Sequence, residues 1–241
     1  MDNTFTPKQI LPNIFTTANL FGGFLSIVFS SQGEFVLASW LIFIAAIADA
    51  LDGLVARLTN TSSKFGVELD SIADVVSFGV APAFLIYTAQ LHTLEVWGLL
   101  ISSCLLIAGA YRLARFNSQL VGFDKSYFTG LPIPMSAIAV ASYLIVFHED
   151  GILPGGLINY TIPLILILSF LMVSKVKYDT LPKLNAEGIK QKPALFVLII
   201  VSIPIAIITN GKALFYVFIL VILFGIFRQL FNSLKKSSTN Q

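Results

Sequence analysis

The stretch Ala48–Gly79, ADALDGLVARLTNTSSKFGVELDSIADVVSFG, carries four aspartates: Asp49, Asp52, Asp70 and Asp74. The first two are three residues apart and the last two are four apart. Both spacings place a pair on one face of a helix. The polar run LTNTSSK between the pairs reads as a turn, so the two helices run antiparallel and their carboxylate ends meet. Such a concentration of acid is unexpected in so apolar a chain, and it sets the reading of everything around it.

Of the 241 residues, 56% are hydrophobic and 12% are charged, about half the charged fraction of an ordinary soluble domain. Apolar runs of roughly 17 to 25 residues recur along the chain, as expected of transmembrane helices. The expected fold is therefore all-α: a polytopic transmembrane helical bundle of about eight spans. They are read as Ile14–Ser31, Phe35–Leu58, Asp70–Ala89, Glu95–Phe116, Leu131–Phe147, Leu157–Ser174, Ala194–Thr209 and Ala213–Leu230. Phe5–Asn13 reads as a short interfacial helix. The whole chain, 1–241, is expected to form one integral-membrane domain. No cleavable signal peptide is expected, because the first residues, MDNTFTPKQILPN, are polar with one basic residue.

Eight spans put both termini on one side. Of the 15 lysines and arginines, all but Lys212 then share that side, while Glu34, Glu95, Glu149 and Asp150 lie opposite. The positive-inside bias makes the termini and the aspartate end cytoplasmic at the cell membrane. Asp49 precedes Arg57 by a stretch of about 12 Å at a helical rise of roughly 1.5 Å per residue. The cluster thus sits below the membrane surface, near the cytoplasm. A net charge of +2 does not point to nucleic acid, and the single Cys104 can form no internal disulfide.

A buried acid in a transmembrane span costs about 2.5–3.5 kcal/mol, less near the interface, and neighbouring carboxylates repel. Two divalent cations, Mg²⁺ or Mn²⁺, would answer both problems, since hard cations favour carboxylate oxygens. Paired metals on carboxylates suit displacement at phosphorus. Gly53, Ala56 and Gly66 allow close approach of helices or of a bulky substrate, and Arg57 is placed to balance phosphate charge. A lone aspartate would read as a helix cap or an arginine partner; four at paired helical spacings do not.

The stretch matches D-x2-D-G-x2-A-R-x8-G-x3-D-x3-D throughout: Asp49, Asp52, Gly53, Ala56, Arg57, Gly66, Asp70 and Asp74. This resembles the signature of the CDP-alcohol phosphotransferases. The resemblance implies a six-helix catalytic core with a dinuclear metal site open to the cytoplasmic interface. It assigns the four aspartates to the metals, Asp74 also as general base, and Arg57 to the diphosphate. The blocks LPNIFTTANLFGGF, YRLARFN, FTGLPIPMSA and LMVSKVKYDTLPK, spread over Leu11–Lys183, are similar to the membrane-integral phosphatidylserine synthases of bacteria and archaea. On that resemblance the core covers about 11–183, and the last two spans, about 194–230, lie beyond it.

The expected reaction moves a phosphatidyl group from CDP-diacylglycerol to L-serine and releases CMP. Other acceptors, glycerol 3-phosphate or inositol phosphate, form the alternative. A cation transporter would need polar residues continuing across the membrane, and FVLASWLIFIAAIA in the second span offers none. Asn13, Thr16, Thr17 and Asn19 could cap a helix or bind the nucleotide; Asn13 and Thr17 are favoured as ligands. Arg112 and Arg115, followed by Asn117, could hold the acceptor carboxylate or anchor to lipid phosphates. Lys125 reads as an anchor, and His92 and His148 lie away from the aspartates. Membrane lipids are the expected surroundings, with no nucleic acid partner; a homodimer is left open.

Overall fold

A chain that crosses lipid must close its backbone hydrogen bonds within each segment, which here means helices. The computed structural model describes residues 7–59, 63–118, 127–148, 153–179, 204–205 and 208–238. The helices are α1 (Pro7–Ser31), α2 (Phe35–Thr59), α3 (Lys64–Asp74), α4 (Ala81–Ala89), α5 (Val96–Ser118), α6 (Ile133–Phe147), α7 (Ile158–Val173) and α8 (Lys212–Ser238). A π-helical turn, Val75–Val80, joins α3 to α4 without a break. Two short strands, β1 (Tyr127–Thr129) and β2 (Lys177–Asp179), pair antiparallel with Tyr127 opposite Asp179.

Among the described residues, six helical segments are long and apolar enough to cross a membrane: Leu11–Ser31, Phe35–Ala56, Phe65–Ala89, Val96–Ser118, Gly155–Val173 and Lys212–Gln229. The shorter apolar α6 accompanies them. Phe21, Ile44, Ile47, Ile107 and Phe170 are exposed on their outer faces, as expected where lipid rather than water covers the surface. The chain is an integral membrane protein. Ala194–Thr209 lies for the most part outside the described residues. Phe5–Asn13 does not form a separate helix over its described part: α1 runs continuously from Pro7 through Pro12. Pro12 removes only one backbone bond, close to the helix end.

Glycines serve the pairing of α1 with α2 in two ways. Gly33 adopts φ +82° between α1 and α2, a left-handed conformation that side chains resist. Its neighbours close the turn, with the Gly33 N–H on Ser30 O and the Glu34 N–H on Phe29 O. Further along α1, a Cβ on Gly22 would stand 3.2 Å from the Ala45 Cβ, so α1 and α2 meet almost backbone to backbone.

The π turn follows from Pro82 and from packing. Pro82 has no N–H to give the preceding turn, and its ring crowds the carbonyl four residues back. Widening the helix is one relief, and the Ala81 N–H reaches back five residues to Val76 O. Ser77, Phe78 and Gly79 of the turn are buried. Around them lies the apolar core, with Leu85 and Ile86 of α4, Leu105 of α5, Val140 and Leu144 of α6, and Ile165 of α7.

The two ends of the bundle are fastened differently. At the end far from the aspartates, Tyr143 donates to Thr161 Oγ1 (2.7 Å), which donates to Gln90 Oε1 (2.5 Å). Gln90 Nε2 donates in turn to Pro154 O (3.2 Å). At the aspartate end, Gly130 takes φ +84° and gives its N–H to Val176 O (2.7 Å). The C-terminal α8 spans both ends. Phe215 packs on Tyr143 and Phe147, and Gly225 lies directly against the Tyr178 ring of β2.

Candidate active site

Four helix ends converge where the acidic motif lies. The last turns of α2 bring Asp49 and Asp52, and α3 brings Asp70 and Asp74. Ser63 starts α3: its Oγ accepts the Gly66 N–H at 3.0 Å, a standard side-chain N-cap. Carboxylate oxygens of Asp49, Asp70 and Asp74 all lie within 4.8 Å of one another. Asp52 stands apart from this group of three. Its Oδ2 accepts the Thr16 hydroxyl from α1 at 2.9 Å, and it is only 7% exposed.

These residues fit a bound cation. Three carboxylates share one small volume, and Asp70 Oδ1 is buried with no hydrogen-bond partner among the described residues. An ionised oxygen in that position is costly unless it is paired. The donor set is all oxygen, the preference of Mg²⁺ and Mn²⁺.

The neutral side chains of α1 line the other side. Asn19, fully buried, donates from Nδ2 to Asp74 Oδ1 at 3.3 Å. Its main-chain carbonyl accepts the Ser77 hydroxyl from the π turn at 2.8 Å. Thr16 and Asn19 are three residues apart and therefore share a face. Helical spacing likewise joins Asn13 to Thr16 and Thr17, so it does not single out the two α1 residues that bond to Asp52 and Asp74. Asn13 and Thr17, the sequence-favoured pair, lie at the edge. The Thr17 hydroxyl donates to Asn13 O at 2.7 Å, and Asn13 Oδ1 lies 3.5 Å from where a Cβ on Gly66 would stand. The tighter neighbour of Gly66 is the Ser63 Oγ of its own helix cap, 3.1 Å from that Cβ position. Gly53 faces open space, which leaves room beside Asp52. Ala56 is half-buried one turn further on. Arg57 lies near the end of α2, and its side chain is outside the described residues, as is all of Lys125.

The basic residues of α5 part company. Arg112 is buried, its guanidinium carbon 5.4 Å from the Phe116 ring centroid and within electrostatic reach of Asp74 and Asp49. Arg115 instead donates from Nη1 to Val173 O (2.6 Å). Its Nη2 serves Thr129 O (2.9 Å), Met172 O (3.3 Å) and Ser174 O (3.3 Å). It caps carbonyls left without partners at the end of α7, a favoured place for a cation. Asn117 Nδ2 donates to Ser71 Oγ at 2.8 Å, tying α5 to the helix that bears Asp70.

A carboxylate cluster able to hold a cation lies at one end of a bundle of apolar spans. The profile of the CDP-alcohol phosphatidyltransferase family matches residues 9–174, and the chain belongs to that family. It is 37% identical over 229 residues to a CDP-diacylglycerol–serine O-phosphatidyltransferase of Helicobacter pylori, covering 95% of this chain and 94% of that one. An archaetidylserine synthase of Methanothermobacter thermautotrophicus is 37% identical over 190 residues, 78% of this chain and 76% of its own. A CDP-diacylglycerol–serine O-phosphatidyltransferase of Bacillus subtilis is 34% identical over 180 residues, 75% of this chain and 96% of its own. The profile ends at the close of α7, before β2 and α8.

Proposed function

We propose that this chain transfers the phosphatidyl group of CDP-diacylglycerol to L-serine, forming phosphatidylserine and CMP. The observation that carries the reading is the trio of carboxylates from α2 and α3 with Arg112 within electrostatic reach, in a chain similar along nearly its whole length to a CDP-diacylglycerol–serine O-phosphatidyltransferase. Two divalent cations, Mg²⁺ or Mn²⁺, held by Asp49, Asp52, Asp70 and Asp74, would supply positive charge to the donor's diphosphate. Asp74 accepts the proton of the serine hydroxyl. The serine oxygen attacks the phosphorus that carries diacylglycerol, and the bond from that phosphorus to CMP breaks, its electron pair leaving with CMP. Arg57 is assigned to the diphosphate. Asn13 and Thr17 are assigned to the cytidine side, while Gly53, Ala56 and Gly66 leave space for the lipid-linked nucleotide.

Arg112 is assigned to the serine carboxylate and Asn117 to the rim of the same pocket. Arg115, bound to four carbonyls, supports the frame instead. A phosphorylated acceptor would call for a larger basic cluster near the site; serine is preferred over glycerol 3-phosphate or inositol phosphate on the similarity to relatives named for serine. The test is CMP release by purified protein given CDP-diacylglycerol, Mg²⁺ and each acceptor in turn. Serine should be used fastest and ethanolamine, which has no carboxylate, poorly. If glycerol 3-phosphate or inositol phosphate outcompetes serine in a mixed assay, the acceptor is wrong and the family assignment stands. In the same assay Arg112→Lys should raise the KM for serine roughly tenfold, because a point charge replaces a bidentate contact. The donor KM should hold. Arg115→Lys should lower the melting temperature and leave the serine KM near wild type.

We also propose that the aspartate end faces the cytoplasm. Arg112, Arg115, Lys175, Lys177 and Arg228 lie at that end, against Lys212, Glu34 and Glu95 at the other. In a Cys104→Ser background, cysteines at Ser63 and Ser118 should react only with cytoplasmic reagent and one at Glu34 only from outside. Reaction of Glu34→Cys from the cytoplasm would overturn the orientation.

A further inference from the structure

We infer that Asn19 is a positioning residue that fixes the orientation of Asp74 for catalysis, and that the π turn exists in part to hold Asn19 in place. The inference rests on the site assigned above and adds a role to a residue outside the acidic motif. Asn19 is held at both ends. Its amide nitrogen donates to Asp74 Oδ1 (3.3 Å), and its backbone carbonyl accepts the Ser77 hydroxyl (2.8 Å). Asp74 is the last residue before the π turn and Ser77 lies within it, so one short segment of chain grips Asn19 twice. Gly23 makes the grip close: a Cβ there would overlap the Ser77 side chain. With one oxygen of Asp74 engaged by Asn19, the carboxylate cannot rotate freely, and its other oxygen keeps a fixed direction.

A second observation separates this role from plain packing. Asn19 Oδ1 is buried with no partner among the described residues. An unpartnered buried amide oxygen weakens the fold, and an apolar side chain of similar outline would serve packing better. Asparagine at this position is therefore explained by its donor to Asp74 and not by stability. Partners that orient the residues of a metal site typically contribute about 10- to 100-fold to activity.

The experiment compares Asn19→Leu, which keeps the branched outline, with Asn19→Ala, which removes the amide without adding volume. Kinetics are measured with the acceptor that the wild-type protein uses fastest, so a wrong choice of acceptor leaves the comparison intact. The expected result is a kcat lower by about 10- to 100-fold, with the KM values for donor and acceptor within about twofold of wild type and a melting temperature held or raised in Asn19→Leu. Ser77→Ala, which frees only the backbone end, should lower kcat in the same direction but less. Wild-type kcat in either Asn19 variant overturns the inference. So does a joint fall of kcat and melting temperature with rising KM in both variants, the signature of packing alone.

Discussion

Asp70→Asn and Asp49→Asn are expected to lose cation binding and turnover together. Both carboxylates belong to the group within 4.8 Å, and Asp70 Oδ1 has no other partner among the described residues. Loss of a mere orienting partner at a metal site costs about 10- to 100-fold, so loss of a ligand should cost at least ~100-fold in CMP release. Chelation should abolish wild-type activity, and Mg²⁺ or Mn²⁺ should restore it. Stability should move the other way. Two unit charges 4.8 Å apart, the upper bound on separations in the group, repel by about 3.5 kcal/mol at an effective dielectric near 20. In chelated protein, Asp70→Asn should therefore melt higher than wild type, while in saturating Mg²⁺ it should melt lower. Full turnover in either variant, or Mn²⁺ titration identical to wild type, would remove the cation from the site.

Asp74→Asn is the second large effect. Asparagine keeps the shape of the side chain and cannot accept the serine proton. Loss of a positioned general base lowers turnover by about 10² to 10⁴. If Asp74 is the base, single-turnover rates should fall by that amount while CDP-diacylglycerol still binds. Donor binding and rate measured on the same protein decide the matter. An unchanged rate removes Asp74 from the base role, and a collapse of donor binding along with the rate assigns it to holding the cation.

Much of this was legible in the sequence because it is local. Apolar runs longer than any soluble strand or helix needs, a period of three and four between acids, and a basic bias at alternate turns all act within one or two helices. The spans read at Phe35, Leu157 and Ala213 begin within two residues of observed helices. Asp49, Asp70 and Asp74 meet because the turn makes the two helices antiparallel; Asp52, read as a fourth member of the cluster, accepts from Thr16 of α1 and stands apart from the three. Residues that depend on distant partners were less legible. Arg112 and Arg115 looked equivalent, three residues apart on one helix end. Only the end of α7, 58 residues away from Arg115, separates a guanidinium serving carbonyls from one beside the carboxylates.

By itself, the sequence determined a polytopic helical membrane protein with acids gathered at one end, since hydropathy and helical periodicity act on neighbours along the chain. The tertiary structure alone decided which polar side chains serve those acids. Thr16 reaches Asp52 across 36 residues and Asn19 reaches Asp74 across 55, contacts that follow from how α1 packs on α2 and α3. The widened turn after Asp74 was likewise invisible. Its i+5 bonding answers both Pro82 and the close seat of Ser77 against Gly23, and that combination of a local break with a distant neighbour leaves no periodic mark in the sequence.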